Sequence, residues 1–142
     1  MLKQTTDMTE HKLNHKDCLE FIFGGNSTFT CKNPKTDNRF TFKVKKHKVN
    51  DIYFVNVLTN KEYTFIGTVY KNTNYRHSAK SKIGTQATSV KTFDYIINHL
   101  RAGNLPEFIE IWHSGSCGRC GRKLTVPASI ESGFGTECVK LK

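Results

Sequence analysis

Arg39-Phe40-Thr41-Phe42-Lys43-Val44-Lys45 is the stretch that decides the fold. Phe40, Phe42 and Val44 alternate with Arg39, Thr41, Lys43 and Lys45, so the apolar set points one way and the polar set the other. A period of two belongs to a β-strand with one buried and one wet face, the habit of antiparallel sheets. Before it, Asn33-Pro34-Lys35-Thr36-Asp37-Asn38 is a turn cluster, and residues 27–31 form a strand with Phe29 and Cys31 on one face. Gly24-Gly25-Asn26 is a further turn, and residues 19–23 read as a short strand. After it, residues 52–58 and 63–70 are strands rich in β-branched and aromatic residues. Gly67 within the last marks a bulge or a close backbone approach.

Residues 71–86 are a polar, basic connector, followed by one helix. Val90, Phe93, Ile97 and Leu100 make a single apolar stripe, with Thr88 or Ser89 to cap its start and Gly103 suited to its end. Residues 108–112 read as one more strand. The expected fold is α+β, an antiparallel meander of about five strands covered by one helix, with a treble-clef or knuckle-like zinc lobe at the end. Its core is expected in Phe40, Phe42, Val55, Phe65, Phe93 and Ile97. Residues 1–17 are polar and without apolar period, the composition of a flexible leader. Residues 18–112 are then the α+β domain, and 113–142 a zinc-binding lobe packed on it.

The chain has 142 residues, a length that favours one domain. With 37% hydrophobic and 24% charged residues it is too apolar for a disordered chain and too polar for a membrane protein. No apolar run approaches the roughly 20 residues of a spanning helix. The N-terminus lacks the basic-then-apolar order of a secretory signal, so a soluble cytoplasmic protein is expected. The formal net charge is +10. The first 20 residues hold Lys3, Lys12 and Lys16 against Asp7, Glu10, Asp17 and Glu20, so the whole excess belongs to residues 21–142. A compact domain that basic points to a polyanion or an acidic protein surface as partner.

Cys117, Cys120 and Cys138 crowd the C-terminus, while Cys18 and Cys31 stand apart. An odd number of cysteines argues against a closed disulfide framework, and in a reducing compartment such a cluster means metal. Cys117-Gly-Arg-Cys120-Gly121 has the C-x-x-C spacing that offers two thiolates to one ion from one tight turn. Structural zinc takes four ligands at tetrahedral angles. Cys138 supplies the third, and His113, four residues before Cys117, is the candidate for the fourth; Cys18, Cys31, His99 and Glu137 are the substitutes. The zinc is expected to be structural and the protein not an enzyme. The His-x-Glu and Pro-Cys-x-x-Cys pattern of the zinc deaminases is missing, as are His-Glu-x-x-His and a phosphate-binding loop.

The stretch Cys117-x-x-Cys120-Gly121-Arg122-x-Leu124-Thr125-x-Pro127-x-Ser129-Ile130-x-x-Gly133-x-Gly135-x-x-Cys138 resembles the zinc motif that ends a family of small, uncharacterised phage and prophage proteins. Asn26-Ser27-Thr28-Phe29-Thr30 and the strand around Phe40 look like that family's β region, and Thr136 stands where members often have Pro. The resemblance implies a zinc-bearing phage accessory protein acting in the host cytoplasm, and assigns no activity. Because some phage proteins of this size are anti-CRISPR or other anti-defence inhibitors, the alternative is an inhibitor that binds a host defence nuclease and blocks nucleic-acid loading or cleavage.

Three basic stretches are candidate contact surfaces: Lys43 to Lys48, Lys71 to Lys82, and the turn around Cys120. The residues expected to touch a partner are Arg76, Lys80, Lys82, Arg119 and Arg122. Tyr70 and Tyr75 interleave with the second stretch; they either stack on bases, as aromatic faces do on single strands, or pack on the sheet. The expected function is that of a non-catalytic zinc-binding module that engages nucleic acid, or a protein complex that handles it, through a basic surface.

Overall fold

The computed structural model describes residues 11–70, 74–123 and 133–135. Its fold is α+β, a seven-stranded antiparallel sheet with two helices on one face. In chain order the elements are β1 (Lys12–Leu13), α1 (His15–Ile22), β2 (Asn26–Asn33), β3 (Asn38–Lys46), β4 (Ile52–Thr59), β5 (Glu62–Tyr70), β6 (Tyr75–His77), α2 (Thr88–Ala102) and β7 (Glu110–His113). The strand order across the sheet is β1-β7-β2-β3-β4-β5-β6. β2 to β6 are a meander. The chain then crosses the core face as α2 and returns to insert β7 between β1 and β2.

The Phe40-to-Val44 alternation is realised in β3, where Phe42 and Val44 are buried and Lys43 and Lys45 face away. The β2–β3 connection is held by the Asp37 amide donating to the Asn33 carbonyl at 2.8 Å, with Asp37 at φ 62°. β4 and β5 join through Asn60-Lys61, Asn60 taking the left-handed conformation that two-residue hairpins demand. Both readings of Gly67 hold. The β4–β5 register shifts beside it, and a Cβ on Gly67 would run into the Arg76 carbonyl and meet the Tyr75 hydroxyl at 2.6 Å, so β6 lies directly on this glycine.

Several expectations are corrected. Residues 19–23 are not a strand, and residues 12–17 are not leader: Lys12 and Leu13 pair with β7, and His15 opens α1. Cys18, Phe21 and Ile22 are the buried residues of α1, a spacing of three and four that is helical once the window includes Cys18. Strands therefore number seven rather than about five, and helices two rather than one, among the described residues. α2 begins after Ala87 in extended conformation with no side-chain cap, so neither Thr88 nor Ser89 fills that role, whereas Gly103 ends it at φ 74°.

The core lies between the sheet and both helices. Phe93 of α2 packs 5.1 Å from Phe42 and 5.4 Å from Tyr75, ring centre to ring centre, and Phe23 meets Tyr53 edge-on at 5.0 Å. Phe40 is half-buried at the core margin. Phe65 is not a core residue. The β5 irregularity turns Ile66 inward and leaves Phe65 on the opposite face, 6.2 Å from Phe54. That opposite face, with Trp112, Thr30, Lys43, Phe54 and Phe65, carries no buried side chain among the described residues. No helix among the described residues is long and apolar enough to cross a membrane.

Candidate functional site

Past β7 the chain turns into the cysteine motif. Cys117 donates its amide to the Arg122 carbonyl at 2.8 Å, Gly121 donates to the Cys117 carbonyl at 2.9 Å, and Ser116 bridges to Lys123. These bonds close a tight hairpin around both cysteines. Inside it, the amides of Arg119 and Cys120 point at Cys117 Sγ at 3.4 and 3.5 Å, and the Gly135 amide reaches the same sulfur at 3.3 Å. Burial raises the Cys117 thiol, but these amides and the Cys120 thiol outweigh it and bring the thiol from 9.0 down to about 7. Hydrogen bonds to a thiolate favour the charged form, and a thiolate is what a metal binds.

The hairpin is seated on the domain. Gly118 donates to the Gly133 carbonyl and accepts from the Asn26 amide, each at 2.8 Å, and Phe134 meets Phe21 edge-on at 5.9 Å. Cys117 and Phe134 are members of the main core.

The structure brings Cys117 and Cys120 together; Cys138 and Glu137 lie outside the described residues. His113 is the last residue of β7, 3% exposed, stacked on His11 at 4.8 Å and tilted against Phe21 at 5.7 Å. Its Nδ1 accepts the Gly115 amide at 3.0 Å. Among the described residues, no group of three His, Cys, Asp or Glu side chains converges as a metal site. The substitute ligands have other occupations. Cys18 donates to the Asn14 carbonyl, and burial, with Asp17 adding to it, pushes its thiol up to about 12. Burial also pushes Cys31 well up, and the His99 ring stacks on Tyr95 at 3.8 Å.

The five predicted contact residues fall in two places. Arg76 is exposed on the edge strand β6, with Lys80 and Lys82 exposed just beyond it. Arg119 and Arg122 are exposed on the cysteine hairpin, which abuts the start of β2. Four strand intervals separate β2 from β6, about 19 Å at the usual spacing. Tyr75 packs on Phe93 and donates to the Ile66 carbonyl at 2.8 Å, so it is spent on the fold; Tyr70 is exposed. Lys43 and Lys45, which belong to the first of the three basic stretches but not to those five residues, lie on the sheet face that the described residues leave uncovered. Their signal was present in the β3 alternation, which already turned them away from the core.

No curated protein and no solved structure matches this chain. Residues 113–141, the stretch that contains the cysteine hairpin, match a family of unknown function, DUF6011.

Proposed function

We propose that this protein is a non-catalytic, zinc-bearing accessory protein that engages nucleic acid, or a protein complex that handles it, through a basic surface. The observation that carries the metal reading is the convergence of three amides on Cys117 Sγ beside the Cys120 thiol. A thiolate so cradled is ready for a divalent ion at neutral pH, and zinc suits a sulfur-rich set. Cys138 follows Gly135 by three residues in the sequence and supplies a third sulfur, and His113 completes a Cys₃His set. Such a closed set favours a structural ion, in a knuckle-like lobe packed on the α+β domain. A charge of +10 supports the polyanion partner, and the want of any recognised acid–base or phosphate-loop motif supports a binding role. The phage-type character rests on the resemblance of the C-terminal motif.

Two measurements test this reading. Metal analysis of protein purified without chelator should find one zinc per chain, retained in Cys18→Ser and Cys31→Ser; less than half an equivalent overturns the metal site. A gel-shift titration at two salt concentrations should show nucleic-acid binding that weakens steeply with salt. Absence of binding at low salt overturns the nucleic-acid arm and leaves a protein partner, such as a host defence nuclease, as the target.

A further inference from the structure

We infer that the face of the sheet that the described residues leave uncovered is the contact surface, and that its occupant is a single strand of nucleic acid. This rests on the nucleic-acid reading above and assigns it to residues on a different part of the molecule. The register places the relevant side chains in rows across the strands. Lys45, Phe54, Thr68 and Arg76 form one row over β3, β4, β5 and β6. Thr28, Lys43, Asn56 and Phe65 form the next over β2 to β5. Lys12, Trp112, Thr30 and Thr41 form a third over β1, β7, β2 and β3, with Lys32 and Arg39 beside it.

Two properties set this face apart from an ordinary wet sheet face. The first is charge. Lys12, Lys32, Arg39, Lys43, Lys45 and Arg76 stand against Glu110, the carboxylate on this face among the described strand residues. Glu110 is itself engaged by Lys12 at 3.8 Å and by the Trp112 indole N–H at 3.1 Å. The second is aromatic content. Phe54 and Phe65 lie 6.2 Å apart, Lys43 sits 5.5 Å from the Tyr63 ring centre, and Trp112 borders a hollow of about 190 Å³ with Lys32 and Arg39 at its rim. Trp112 and Phe54 are three strand intervals apart across the sheet, about 14 Å, and their rows lie four residues apart along β3, about 13 Å.

Cations that track phosphates, interleaved with aromatic faces that accept bases, are the equipment of single-strand binding. A duplex hides its base faces in the stack, so a flat sheet would meet only its phosphates and leave the aromatics unused. The single strand is the polyanion that uses both.

The test is fluorescence anisotropy of the full chain, as purified, with a labelled 20-nucleotide oligothymidylate, beside a duplex of equal length. Trp112 is the only tryptophan, so its emission reports occupancy of this face directly. Lys43→Glu with Lys45→Glu should weaken oligothymidylate binding at least tenfold and lower the salt slope by about 1.4, two single-strand phosphate contacts. Phe54→Leu, which keeps apolar bulk and removes the ring, should weaken it at least fivefold. Lys16→Glu with Lys91→Glu, exposed on α1 and α2, makes the same change in net charge and should stay within twofold. Saturation of the unaltered protein should quench Trp112. If the protein binds but the sheet-face variants match the helix-side pair, this face is not the site and the nucleic-acid reading survives. Equal affinity for the duplex with Phe54→Leu unchanged overturns the single-strand assignment. No binding of either probe at low salt removes both readings.

Discussion

Gly118 occupies the joint between the cysteine hairpin and the core, and Gly118→Ala should destabilise the protein by about 1–3 kcal/mol, the usual cost of overpacking. A Cβ at this position would lie 2.7 and 2.8 Å from Cδ1 and Cε1 of Phe21 and 3.0 Å from its carbonyl oxygen. Neither side has room to yield. Phe21 is fully buried between His113 and Phe134, and the Gly118 backbone is tied to Gly133 and Asn26. A destabilisation of about 2 kcal/mol corresponds to a fall of about 1 M in the urea midpoint for a slope near 2 kcal/mol/M. Phe21→Leu removes the ring edge that the new methyl meets, at a cost of its own of about 1.5 kcal/mol or less. The double variant should then be more stable than the sum of the single changes predicts by about 1 kcal/mol or more, because contacting residues do not add. Urea unfolding of the four proteins, zinc present throughout, closes the cycle. Additivity within about 0.5 kcal/mol would refute the contact, and with it the view that the hairpin is seated through Phe21.

Phe93→Ala should cost about 3–5 kcal/mol, since it empties the space between Phe42 and Tyr75; a loss below about 1.5 kcal/mol in chemical denaturation would mean that α2 is not the main cover of the sheet. Cys117 makes the metal-free protein pH-sensitive. Its folded thiol titrates at about 7 against 9.0 ordinarily, so the unfolded chain binds more protons between these values and stability rises with pH from about 7 to 9. The gain is lost as pH falls through 7. Urea midpoints of the chelated protein at pH 6 and 9 measure it, and a Cys117→Ser profile of equal slope would assign the effect elsewhere.

Local periodicity wrote much of the fold in the open. The alternation around Phe42, the apolar stripe from Val90 to Leu100 and the left-handed stop at Gly103 depend only on neighbours a few residues away, and all were legible. The paired cysteines of the hairpin were legible for the same reason, as was Gly67. α1 was not, because a run of five residues fits either period and its helical phase shows only when Cys18 is counted. β1 has two residues and no period of its own; it is a strand because β7 supplies its hydrogen bonds from nearly 100 residues away. The insertion of β7 beside β2 is likewise a non-local pairing, and it places His113 and Trp112 on opposite faces of the sheet. Lys43, Phe54, Phe65 and Arg76 come from four strands, and only the register, including the irregularity at Val55–Asn56 that turns Phe65 outward, gathers them on one surface. Side-chain alternation is a property of one strand, whereas the composition of a sheet face is a property of how strands align. That alignment is decided by burying Phe42, Val55 and Phe93 together, which no stretch of the chain encodes alone.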